Sequence, residues 1–332
     1  MKKLFIMGLA AMGLALTACN SDETVEMAKG NAIGFKTFVN NSTRATDTEE
    51  SNFTAFKVWG KMSKDNQTGT PFDGVVVSKD AQNGWTYTTP VYWENGYSYS
   101  FVALAPVDAF TMTAPNAYQN YGSIAFNNYA KAGETDLVYA AKDCGEVTVT
   151  ANTCPPAVDL TFNHMLSRVR FQFTNGMDDG STLTVTDVKI TNAYKSGTAE
   201  LKAEFNDLKW VPDEATDEAT GELAFDNATT KQFAQNVSFV TGHKYMIPAD
   251  KAYNLTFTVT REHHGVTDTY NHTVTLPKIA MTQGLSYQFV AKFTAENINP
   301  GQVLCPITFT AKVEDWENFT DKAFDVKPAA SN

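Results

Sequence analysis

The chain has 332 residues, 43% of them hydrophobic, and a formal net charge of -11. That length exceeds one small core and suffices for two of ordinary size. The acidic balance argues against nucleic acid and anionic membrane surfaces as partners.

Lys2 and Lys3 precede an apolar run over residues 4–16, which ends in Leu16-Thr17-Ala18-Cys19. Basic, apolar and small-residue regions in that order mark a secretory signal over residues 1–18. The run is too short to span a bilayer comfortably, and no later stretch is long enough. Without residues 1–18 the net charge becomes -13, because Lys2 and Lys3 are their only charges. The ending resembles the lipobox of bacterial lipoproteins, in which the cysteine is acylated and becomes the new N-terminus. The resemblance implies lipid on Cys19.

Residues 20–31 are polar and acidic, and read as a tether. Ile33, Phe35, Thr37 and Val39 then alternate, which predicts a half-buried strand. Residues 40–50 are polar and aperiodic, with Arg44 as their one basic residue. That run reads as an exposed loop, where proteases cut.

From there the chain is strand-like. Phe56 and Val58 alternate, as do Tyr97, Tyr99, Phe101, Ala103 and Ala105, up to Pro106, where a ladder must stop or become an edge. Residues 136–140 form a short apolar run, and Val147 and Val149 predict another short strand. Val158, Leu160, Phe162 and His164 alternate. A strand through His164 is expected to pass from one half of the chain into the other. Val169, Phe171 and Phe173 share a face. Leu183 and Val185 share one face and Val188 and Ile190 the other, so the phase switch near Asp187 predicts a β-bulge or a change of facing surface. Tyr253, Leu255, Phe257 and Val259 alternate, then Leu285 to Phe293, then Ile307 to Val313.

Strict period two with threonines at the outward positions predicts antiparallel sheets with one wet face. No long amphipathic helix is found. Many short strands with Gly, Asn and Asp turns argue for an all-β chain of β-sandwiches. Two β-rich halves are expected to meet near residues 155–165.

Catalytic chemistry needs a constellation, and none assembles. There is no Gly-x-Ser-x-Gly, no HExxH and no phosphate-binding glycine loop. Asp178 and Asp179 make a turn with Gly180. His263 and His264 sit at a predicted hairpin turn, and adjacent strand residues face opposite sides. His272, on the expected partner strand, is placed to approach one of them. No catalytic residue, metal site or cofactor is assigned. The five tryptophans fall in strand patterns and read as core, although exposed aromatics could bind sugar. Cys144 and Cys154 flank a nine-residue segment. Both a disulfide and buried free thiols suit an oxidising compartment there, and Cys305 is left over.

The order of these segments carries a second resemblance. The lipobox is followed by AIGFKTFVNNSTRAT, FKVWG, YWENGYSYSFVALAP, DLVYA, VDLTFNHMLSRVRFQF, YQFVAKF and PITFTAKVEDW. In that order they resemble the fimbrillin family, subunits of fimbriae made as surface lipoproteins. The resemblance implies two tandem transthyretin-like antiparallel β-sandwich domains, at residues 45–163 and 164–332, after a tether and removable strand at residues 19–44.

It also implies an assembly route. An extracellular arginine-specific protease would cut at Arg44-Ala45 and remove the strand bearing Ile33, Phe35 and Val39. A donor strand from another fimbrial subunit would refill the groove, and here Phe324 and Val326 are its candidate anchors. Residues 322–332 are short and poor in apolar side chains for that task, which leaves stalk, tip and anchor positions open. The implied location is the outer membrane through lipid, then the cell surface and fimbrium. The host ligand stays unassigned. A surface lipoprotein that binds glycans is the alternative reading, and a hydrolase is a distant third.

Overall fold

The computed structural model of the chain describes residues 32–39, 53–81, 84–108, 111–113, 123–126, 135–150, 153, 155–200, 209–213, 220–225, 232–302 and 307–315. Among them the chain is all-β, with short strands, no α-helix and a 3-10 turn at Pro300–Gln302. No helix among the described residues is long and apolar enough to cross a membrane.

Seven strands of the first half share one sheet. They are β1 (Phe35–Val39), β2 (Ala55–Lys64), β3 (Gln67–Asp80), β4 (Gly84–Thr86), β5 (Ser98–Ala105), β8 (Val138–Glu146) and β9 (Val158–His164). Their spatial order is β1-β9-β8-β5-β2-β3-β4. The sheet curls over its own apolar face. Phe35 on β1 and Phe72 on β3 lie far apart in that order, yet their ring centroids are 5.4 Å apart. Gly60 on β2 makes the curl possible, because a Cβ there would sit 2.9 Å from the Phe101 ring and 3.0 Å from Phe72. β5 stops at Ala105, ahead of Pro106, as its sequence predicts.

The second half is two sheets facing each other. One holds β10 (Ser167–Asn175), β15 (Ser238–Val240), β16 (Lys244–Met246), β21 (Leu285–Phe293) and β22 (Thr310–Asp315). The other holds β11 (Thr182–Tyr194), β14 (Thr220–Ala224), β18 (Asn254–His263) and β19 (Val266–Thr275). Phe171, Phe173, Phe257, Phe289 and Phe309 pack in the core they enclose. The register slips between Thr186 and Lys189, where Asp187 has φ 55°. The phase switch is therefore a bulge. It returns Val188 and Ile190 to the core face that Leu183 and Val185 occupy. A separate two-stranded ribbon pairs β17 (Asp250–Lys251) with β20 (Ile279–Ala280).

A smaller sheet joins the two halves. It runs β13-β12-β7-β6, with β6 (Thr111–Thr113) and β7 (Ser123–Phe126) from the first half and β12 (Gly197–Glu200) and β13 (Trp210–Pro212) from the second. A third apolar cluster, including Trp59, Tyr139, Met165, Leu166 and Tyr245, fills the space between the halves. Trp210 donates its indole N–H to the carbonyl of Met165 at 2.7 Å. Arg168 and Arg170 alternate with the core residues of β10. They are buried but bonded, Arg168 Nε to Ser286 Oγ at 2.8 Å and Arg170 Nε to Gln288 Oε1 at 2.6 Å. Pairing of this kind is what makes a buried guanidinium tolerable.

Three expectations need correction. The strand through His164 does not continue into the second half: β9 ends there, Met165 and Leu166 intervene, and β10 joins a different sheet. Val147 and Val149 are outside any strand. β8 carries a bulge at Gly145, φ 60°, and ends at Glu146, and Val147 instead exchanges two backbone hydrogen bonds with the Gly96-Tyr97 segment. Two pairings are parallel, β1 with β9 and β10 with β21; the other described pairs are antiparallel. Alternation reports which face is buried and is blind to strand direction.

Candidate functional site

The residues that matter most lie at the start of the described chain. β1 is an edge strand whose ladder partner is β9, in register from Phe35 opposite Val158 to Val39 opposite Phe162. Just before it, the backbone is held on two sides. The Ile33 N–H donates to the Val91 carbonyl at 2.8 Å, and the Val158 N–H donates to the Gly34 carbonyl at 2.8 Å. Ala32 forms an antiparallel bridge with Tyr92. Residues 32–35 thus close the gap between β9 and the segment that follows β4.

The side chains complete the seat. Ile33 is 0% exposed and Phe35 1%. The Phe35 ring is boxed by Phe56, Phe72, Tyr87 and Phe101, with centroids at 6.0, 5.4, 6.1 and 5.8 Å and edge-to-face angles. Such angles suit the quadrupoles of aromatic rings. Tyr87 does two jobs: its ring forms one wall, and its hydroxyl donates to the Ile33 carbonyl at 2.7 Å while accepting from the Val91 N–H at 3.3 Å. Burial raises the Tyr87 phenol above its ordinary range, against the opposing backbone bond with Val91, so it stays a donor at neutral pH.

A family model described as fimbrillin-like matches residues 43–316. The chain belongs to the fimbrillin-like family. The match begins after β1 and takes in every strand from β2 to β22. Among solved structures, a fimbrial protein from Bacteroides vulgatus is 17% identical, with a TM-score of 0.61 over 86% of this chain and 99% of its own. A candidate cell adhesion protein from Bacteroides ovatus is 13% identical, with a TM-score of 0.51 over 87% and 99%. At such identities the likeness is one of fold. No protein of curated function is similar enough in sequence to match.

In this fimbrillin-like chain, several sequence-derived sites lie outside the described residues: Cys19, Arg44, Ala45, Cys154, Cys305, Phe324 and Val326. Val39 is in β1, and its side chain is also outside them. Cys144, on β8, is a half-buried free thiol packed against the first core. Burial pushes that thiol up to about 11, so it is a poor nucleophile at neutral pH.

The histidines also resolve. His164 pairs through Nδ1 with the buried carboxylate of Asp136 at 2.9 Å, which accounts for its place on an apolar face. His263 and His264 do not face opposite sides. His264 leaves the strand at φ 50° to form the turn with Gly265, and the two rings stack at 4.0 Å. His272 stays away from them, buried opposite Phe257 with its ring stacked at 5.0 Å. No group of three or more His, Cys, Asp or Glu among the described residues could hold a metal ion. Trp59, Trp85 and Trp93 are buried in cores.

Sequence reasoning missed Tyr87 and Phe72. Phe72 lies on a long strand without a regular buried face, and Tyr87 lies just past the end of β4. A cue existed for Tyr87: it alternates with Trp85, and both are buried in the first core.

Proposed function

We propose that this fimbrillin-like chain is a structural subunit of an adhesive fimbria, without catalytic activity, and that β1 is a temporary plug. In this reading Cys19 carries lipid and holds the precursor at the outer membrane and cell surface. An arginine-specific protease cuts Arg44-Ala45, and residues 19–44 leave together with the lipid. The vacated edge then takes a strand from another fimbrial subunit. The domains are residues 45–163 and 164–332.

One observation carries the reading. A segment that precedes the family-matched region supplies two fully buried side chains and the outermost strand of the first sheet. Its loss would open an apolar groove and leave the β9 edge unpaired, the two conditions that drive strand addition. Each large side chain withdrawn forfeits on the order of 1.5–3 kcal/mol of burial. Glycan capture is less well supported, because Trp59, Trp85 and Trp93 are core residues and offer no platform.

The test is direct. Precursor treated with an arginine-specific protease is expected to yield Ala45 as its new N-terminus and then to form multimers on native gels. The Arg44→Ala precursor is expected to remain uncut and monomeric. Multimers of the uncut variant, formed as readily as those of the cut protein, would refute the mechanism.

A further inference from the structure

We propose that the seat vacated by residues 32–39 selects a strand from a different chain, running parallel to β9 and carrying an aliphatic, a small and an aromatic residue in succession. The inference rests on the strand-exchange reading and specifies its partner.

The seat imposes three demands. Its backbone contacts are the β9 edge, with the Val158 N–H aimed at the residue that replaces Gly34, and the Val91 carbonyl on the other flank. A strand that reproduces them in the observed register runs parallel to β9. Its side chains must fill the Ile33 position and, two residues on, the four-ring box around Phe35. The box was shaped by a ring, so an aliphatic residue there leaves a void, and voids among close-packed rings are costly. Gly34 between them is buried as well, so the intervening residue must be small.

Residues 316–332 do not meet these demands. Val326 in the ring box would put Phe324 at the Ile33 position and Asp325 at the buried Gly34 position. Phe324 in the box puts Lys322 where Ile33 is 0% exposed, and Phe319 puts Glu317 there. An uncompensated charge at such a depth is strongly disfavoured. Four other triplets of this chain have the pattern, and all lie in or next to paired strands. Ile124-Ala125-Phe126 is in β7, paired on both sides, and Leu223-Ala224-Phe225 contributes two side chains to the second core. Val237-Ser238-Phe239 enters β15, which pairs with β10, and Leu285-Ser286-Tyr287 opens β21, held between β10 and β22. None is free to be donated.

The test uses precursor cut at Arg44-Ala45 and fluorescent peptides scored by competition anisotropy. The peptide of residues 31–40 is expected to bind. Its Phe35→Ala and Ile33→Lys forms should bind at least about tenfold more weakly, the loss that one large buried side chain implies. The peptide of residues 316–332 should not compete. If cutting unfolds the first half, the same ranking is read from the power of each peptide to restore the near-ultraviolet circular dichroism of intact protein. Competition by residues 316–332 equal to that of residues 31–40 would overturn the selectivity and leave strand exchange standing. Failure of every peptide, residues 31–40 included, would overturn both.

Discussion

The hydroxyl of Tyr87 donates a hydrogen bond to the carbonyl of Ile33, across 54 residues of sequence and 2.7 Å of space. It ties the entering chain to a turn after β4, on the flank of the seat that faces away from β9. Tyr87→Phe keeps the ring in the Phe35 box and deletes only this bond and the one accepted from Val91. A loss of about 1–3 kcal/mol is expected, because buried partners are left unsatisfied. In protein cut after Arg44, the off-rate of the released strand should rise about tenfold, as followed by anisotropy of a labelled N-terminus.

Phe35→Ala empties the box. The expected cost is about 3–5 kcal/mol by urea unfolding, the range for a buried aromatic truncated in a well-packed core. The conservative Phe35→Leu should cost less than half of that. Equal costs would mean that the box does not distinguish ring from aliphatic chain.

Gly60→Ala adds one methyl group where the rings of Phe101 and Phe72 already stand 2.9 and 3.0 Å from the ideal Cβ position. Those rings cannot swing aside, since each also packs against Phe35. Overpacking of about 1–3 kcal/mol is expected. The double variant with Phe72→Leu should recover part of it, and a double-mutant cycle measures how much.

Acid should weaken the second half through His272. Burial lowers its imidazole below the ordinary value, against a backbone hydrogen bond with Ile298 that raises it. The folded state therefore favours the neutral ring. The stabilisation is complete above the unfolded value of about 6.5 and is lost as pH falls through the lower folded value. His272→Phe, which keeps the stack on Phe257, should flatten the melting temperature between about pH 7 and pH 5.

Asp179 sets a second, lower window. The hydroxyl of Ser181 above all, then its N–H and the Arg261 guanidinium, hold this carboxyl at about 2 against the opposing effect of burial. Its contribution is present above the ordinary carboxylate value and disappears as pH falls through about 2. Asp179→Asn should cost about 1 kcal/mol at neutral pH, a figure discounted because the side chain is partly exposed. Wild type and variant should converge in acid titrations near pH 2.

Much of the architecture was legible because burial on one face of a strand imposes period two on the sequence. Leu255, Phe257 and Val259 are buried and the threonines between them only half-buried, as their alternation predicts. On β5 and β21 the expected wet face is partly covered, because Val102, Leu104, Ser286 and Gln288 are buried along with the alternating aromatics. Even the bulge at Asp187 was readable, since one extra residue shifts the phase of everything after it. The reading broke where alternation arose without a ladder, at Val147 and Val149. It also broke at His264, where left-handed backbone in a two-residue turn overrides the rule that neighbours point apart.

The amino-acid order by itself determined that Ile33 and Phe35 share the buried face of an extended segment, and that Arg44 follows it in a polar stretch. These are local matters, settled by side-chain chemistry within a few residues. Only the tertiary structure decided that this strand lies parallel to β9, more than a hundred residues away, and that four rings from β2, β3, β5 and the turn at Tyr87 close around Phe35. Such pairings depend on how a sheet curls and which edges meet. Hydrogen-bonded ladders are alike along their length, so nothing in one strand names its neighbour until packing selects it.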